Sequence, residues 1–167
     1  SWRYPEDGLV LHLGCTDLPR QVDLRPADWP RGAHNQDYVW ITREEMLSIV
    51  PEGVKAGDSF PMYGPVARRL IRYHLLDSVR GETSAWPAEA LHGAAMTLTV
   101  TGATPDRVDL RAEGRVHLVE QGEWHSRKRN DGISCLIQER GYDAQMLGYL
   151  AFDRRGRRFL QFDLMAT

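Results

Sequence analysis

Between Arg107 and Leu118 the chain alternates: Val108, Leu110, Ala112, Val116 and Leu118 are apolar, with Arg107, Asp109, Arg111, Glu113, Arg115 and His117 set between them. A period of two predicts a strand with one face in a core and the other in water. The stretch before it repeats the pattern, with Ala94, Met96, Leu98 and Val100 set against Ala95, Thr97, Thr99 and Thr101. Gly102-Ala103-Thr104-Pro105-Asp106 supplies the turn residues that close a hairpin between them. A second hairpin is predicted where Met146–Phe152 and Arg158–Met165 flank Asp153-Arg154-Arg155-Gly156, a tight turn whose glycine is suited to a positive φ. The polar, charged stretch Glu120–Gly132 between the hairpins reads as a mobile loop.

The first half is more mixed. Leu9, Leu11 and Leu13 against Val10 and His12 predict a short strand running into Gly14-Cys15-Thr16-Asp17. Val22–Gln36 holds Pro26, Pro30 and Gly32 and reads as irregular. Thr42 followed by Glu45 fits a capping box, in which the Thr hydroxyl caps the helix and the Glu carboxylate reaches back to the cap. One short helix is therefore expected from about Arg43 to Val50, stopped by Pro51 and Gly53. Over Pro65–Val79 two periods compete. Ala67, Leu70, Ile71 and His74 form a helical stripe, while Ile71, Tyr73 and Leu75 alternate with Arg72, His74 and Leu76, and the reading adopted is a helical turn followed by a strand. The sum is one domain over 1–167 with a β-rich α+β fold. An antiparallel meander from about Gly93 to Met165 curls into a half-barrel or sandwich, and one or two short helices cover an end.

Composition narrows the function classes. With 167 residues, 42% of them hydrophobic, the chain can bury a core without staples. A net charge of −2 gives no basic field, so generic nucleic-acid binding is not expected. No apolar run approaches the roughly 20 residues of a membrane span. The opening residues lack the apolar centre of a signal peptide, which leaves open a cytoplasmic protein and an exported one whose signal peptide has been removed.

No Gly-x-Ser-x-Gly elbow, His-Glu-x-x-His helix, P-loop or Gly-x-Gly-x-x-Gly occurs, so hydrolase, protease and nucleotide-binding readings start weak. Trp29, Trp40, Trp86 and Trp124 are the first alternative feature, with Trp29-Pro30 and Trp86-Pro87 in predicted loops. Aromatics on a stiff backbone offer contact area at low entropic cost, so Trp29, Trp40 and Trp86 are candidates to hold a small molecule, glycan or protein segment. The plainer reading buries them in the core. A copper or zinc site is the second feature, assembled by folding from His12, Cys15, His34, His74 and His117. Cys15, at a strand end in a Gly-containing turn, is also the candidate nucleophile if the chain is an enzyme.

Cys15 and Cys135 are the two cysteines. They are expected to be reduced thiols, Cys135 buried and Cys15 the more accessible, although a disulfide between them would close a long loop. The charged row Arg107–His117 reads as a solvated face, with a lining for an anionic ligand as the alternative. Arg154, Arg155, Arg157 and Arg158 make a basic cluster at the last turn, suited to a small acidic contact. These features favour a non-catalytic ligand-binding or accessory domain, with a copper- or zinc-dependent protein or enzyme as the alternative.

Overall fold

The alternation of the second half builds the larger of two sheets. The computed structural model describes residues 7–16, 34–76, 84–128 and 132–167. In chain order these form β1 (Leu9–Thr16), β2 (His34–Ile41), α1 (Arg43–Leu47), β3 (Ser59–Pro61), α2 (Gly64–His74), a 3₁₀ segment (Ala88–Gly93), β4 (Ala95–Ala103), β5 (Arg107–Lys128), β6 (Gly132–Asp153) and β7 (Arg158–Ala166). Strands β3 to β7 lie side by side in sequence order as an antiparallel sheet, and β1 pairs with β2 as a separate antiparallel ribbon. The fold is thus the β-rich α+β meander that the sequence predicts, with both sheets open. β3 is an addition from the first half, a short edge strand whose Pro61 suits an edge because proline cannot donate to a ladder.

The two sheets and the helices share one core. Met96, Leu98, Val100, Val108, Leu110, Ala112, Val116, Leu118, Met146 and Leu150 are buried on the inner face of the large sheet. Val39 and Ile41 of β2, Met46 of α1, and Val66, Leu70 and Ile71 of α2 pack into the same cluster. Gly114 sits in this row because a Cβ there would lie 2.6 Å from the Ala95 carbonyl oxygen and 2.7 Å from Met146 Cε. Among the described residues no polar or charged side chain is buried in the core.

Three expectations need correction. Pro65–Leu76 does not turn into a strand: α2 runs for 11 residues, Gly64–His74, with proline in its first turn, and the last three residues of the predicted segment lie outside the described residues. The stripe Val66, Leu70 and Ile71 wins because it buries three side chains together, whereas Tyr73 of the competing alternation stays exposed. Glu120–Gly132 is not a loop throughout. β5 continues to Lys128 and β6 resumes at Gly132, with unbroken register from Glu120↔Arg140 to Lys128↔Gly132. The pairing there is carried by the backbone ladder, which the polar composition of Glu120–Gly132 hides from a reading by hydrophobic period. Finally, Gly156 does not take the positive φ of the last turn; Arg157 does, at 50°. Asp153 Oδ1 accepts from the N–H groups of Arg155 and Gly156, both at 2.9 Å. A Cβ at 156 would lie 2.5 Å from Asp153 Oδ2, so a side chain there would have to displace the Asp153 carboxylate.

Candidate functional site

The capping box at the start of α1 is present. The Glu45 N–H donates to Thr42 Oγ1 at 3.2 Å and the Thr42 N–H to Glu45 Oε2 at 3.0 Å. The helix is shorter than expected, ending at Leu47, and Ile49 and Val50 are buried beyond it. Arg69 of α2 then grips the same carboxylate with both Nη atoms. Its Nη1 also donates to the Trp40 carbonyl at 2.8 Å. The Arg69 guanidinium, aided by the Thr42 contacts, holds the Glu45 carboxyl below its usual range against the opposing effect of burial. One arginine therefore fixes β2, α1 and α2 relative to one another.

That clamp backs a distinctive surface. In the β1–β2 register Leu9↔Ile41 and Leu11↔Val39 face the core, so the intervening pairs Val10↔Trp40, His12↔Tyr38 and Gly14↔Gln36 face outward. Val10 is 43% exposed, Tyr38 53% and Trp40 36%. The His12 and Tyr38 rings stack with centroids 5.0 Å apart and planes 30° from parallel. These three outward pairs contain no charged residue. The nearest acid in β2, Asp37, belongs to the other row and binds His74 Nδ1 at 3.0 Å through Oδ2. The N–H groups of Gln36 and Tyr38 donate to the side chains of Asn35 and Asp37 at 2.9 and 2.7 Å, so they are satisfied within β2 itself.

The sequence-predicted site residues are dispersed. Of the three tryptophans, Trp40 lies on this outer face, and Trp29 falls outside the described residues. Trp86, 1% exposed, is in the core. Its Nε1–H donates to the Leu75 carbonyl at 2.8 Å, and the Arg140 guanidinium lies 3.9 Å from its ring centroid, so it anchors the 84–87 segment between α2 and β6. The metal candidates do not converge. His12 and Cys15 lie on opposite faces of β1 by alternation, His74 binds Asp37, and His117 binds Asp143 at 2.6 Å on β5 and β6. The side chain of His34 lies outside the described residues. Among the described residues no three His, Cys, Asp or Glu side chains are grouped to hold a metal ion.

Cys15 is a half-buried free thiol opposite Asn35, and no described His or carboxylate is hydrogen-bonded to it. The side chain of Cys135 lies outside the described residues. The charged row of β5 is open to water and locally neutralised, Arg107 by Asp109 and Arg111 by Glu113, both at 2.7 Å.

Val10 and Tyr38 were not among the residues singled out from sequence. The signal was the run Tyr38-Val39-Trp40-Ile41, rich in β-branched and aromatic residues. Because both of its faces are apolar, no alternation marks it. No family model, curated protein or solved structure matches the chain.

Proposed function

We propose that the chain is a non-catalytic accessory domain that binds a neutral glycan on the outer face of the β1–β2 ribbon. The observation that carries this reading is the exposed row of His12, Tyr38 and Trp40, free of Lys, Arg, Asp and Glu, on a backbone clamped by Arg69. A pyranose presents a C–H face that packs on an aromatic ring, and rigid rings give that contact at little entropic cost. The absence of Lys and Arg from the row favours a polyhydroxylated ligand over an anion. The engaged N–H groups of Gln36 and Tyr38 favour ring stacking over the addition of a peptide strand to β2.

Electrophoresis through gels containing neutral polysaccharides tests this directly. The folded protein should be retarded by at least one of β-glucan, xylan, mannan or starch, with the Trp40 indole N–H signal shifting on titration. Trp40→Ala and Tyr38→Ala should abolish retardation while remaining folded, and Trp86→Phe should lower stability yet leave retardation intact. Migration unaffected by every polysaccharide, with an unmoved Trp40 signal, would refute the proposal. The competing copper or zinc reading gains no support from a ligand group assembled among the described residues; stoichiometric metal retained by tag-free protein after reconstitution would revive it.

A further inference from the structure

We propose that a second site, at the tip of the β6–β7 hairpin, binds a small carboxylate carrying an apolar body. A cleft of about 190 Å³ lies between this tip and the turn after α1. Leu47, Val50, Pro51 and Phe152 give it an apolar lining, and Glu52, Arg154 and Arg157 supply its charge. Of the four arginines at the tip, Arg155 is neutralised by Asp106 and Arg158 faces Asp153 at 4.0 Å. Arg154 and Arg157 have no carboxylate at ion-pair distance among the described residues, and these are the two that line the cleft. Glu52 pairs with neither, so the lining carries a net positive charge.

The cationic side is also held in place. Arg154 Nη2 donates to the Val54 carbonyl at 2.7 Å, which ties the hairpin to the opposite wall and leaves further N–H donors on a guanidinium that has five. Arg157 closes the hairpin turn with a φ of 50°, so its backbone position is fixed by the turn. Size sets the ligand class. At about 190 Å³ the cleft falls short of the ~300 Å³ at which pockets for drug-sized ligands begin. A single-ring or short-chain acid fits; a nucleotide does not.

The test is an amide NMR titration of the folded chain with benzoate, octanoate, benzamide and inorganic phosphate. Benzoate or octanoate should shift the amides of Gly53, Phe152, Arg154 and Arg157 saturably. Benzamide, of the same shape without the charge, should bind about tenfold or more weakly, the loss that accompanies a missing charge-assisted hydrogen bond. Arg157→Gly removes the guanidinium while relieving the backbone, so it should fold as well as the parent and weaken benzoate about tenfold. No saturable shift with either acid, equal binding of benzamide, equal binding of phosphate, or an unchanged Arg157→Gly would each overturn the proposal.

Discussion

Both sheets turn one face to the same core, and the outer row of β5 differs in kind from the outer rows of the ribbon, although Tyr149, Leu160 and Met165 of the neighbouring strands β6 and β7 are exposed as well. On the five-stranded sheet the outer row of β5 is Arg107, Arg111, Glu113, Arg115 and His117, ionisable groups that water solvates and neighbours neutralise. On the two-stranded ribbon the outer rows are Val10, His12, Tyr38 and Trp40. Leaving apolar surface in water forgoes about 25 cal/mol for each Å² that burial would have gained. A charged face therefore needs no explanation beyond solvation, whereas a contiguous exposed aromatic face invites a ligand. The difference is why the ribbon, rather than the larger and better-patterned sheet, carries the functional proposal.

The sharpest way to break this comparison is to truncate an apolar residue on each side of it. Leu110 is 1% exposed, between Val100 and Leu150 in register, so Leu110→Ala leaves a cavity and should cost about 2–5 kcal/mol. Val10→Ala on the ribbon's outer face should cost no more than about 0.5 kcal/mol. Urea denaturation of the two variants decides the matter. Equal losses would mean that the outer face of β1 is covered in the folded protein, and the contrast would vanish.

The legibility of the sequence followed the same divide. β4 and the first half of β5 were readable because one face is apolar and the other polar, β7 through its aromatic and aliphatic residues beside a tight turn, and Thr42 with Glu45 announced α1 through its cap. The ribbon was half legible: β1 alternates, but β2 is apolar on both faces over Tyr38–Ile41 and shows no period. The distal part of the β5–β6 hairpin was illegible because Glu120–Gly132 is polar throughout and shows no apolar period, although its backbone pairs in unbroken register. Candidate chemistry was harder still. Proximity of His74 to Asp37, or of Arg69 to Glu45, arises from how α2 lies against β2 and α1, and residue spacing does not encode it.

A second, smaller effect sharpens the comparison through pH. Glu45 has its pKa lowered in the folded state, chiefly by Arg69, so its ion pair contributes fully above the unfolded carboxylate range. The contribution is lost as pH falls through the lower, folded value. Arg69 also holds the Trp40 carbonyl, so the loss belongs to the ribbon and not to the large sheet. Hydrogen exchange should therefore show the amides around Trp40 losing protection on acidification before those around Leu110. Glu45→Gln should flatten that local pH dependence, at a cost near neutral pH on the order of 1 kcal/mol for a half-buried pair. Ribbon and sheet amides loosening together, in parent and variant alike, would show that the clamp does not support the platform.

The smallest expected effect tests the claim that the charged face is only solvated. Arg111 pairs with Glu113 at 2.7 Å, with side chains 45% and 54% exposed, and both stand on the same outer row two residues apart. An exposed pair of this kind contributes between zero and about 1 kcal/mol and weakens with salt. Arg111→Ala should therefore shift the urea midpoint barely at all, and less in high salt than in low. Its effect on stability should resemble that of Tyr38→Ala, since neither side chain lies in the core. The two variants should nevertheless part in polysaccharide gels, Arg111→Ala migrating as the parent does and Tyr38→Ala escaping retardation. If Arg111→Ala also escaped retardation, the ligand would be contacting the five-stranded sheet, and the assignment of the binding face to the ribbon would be wrong.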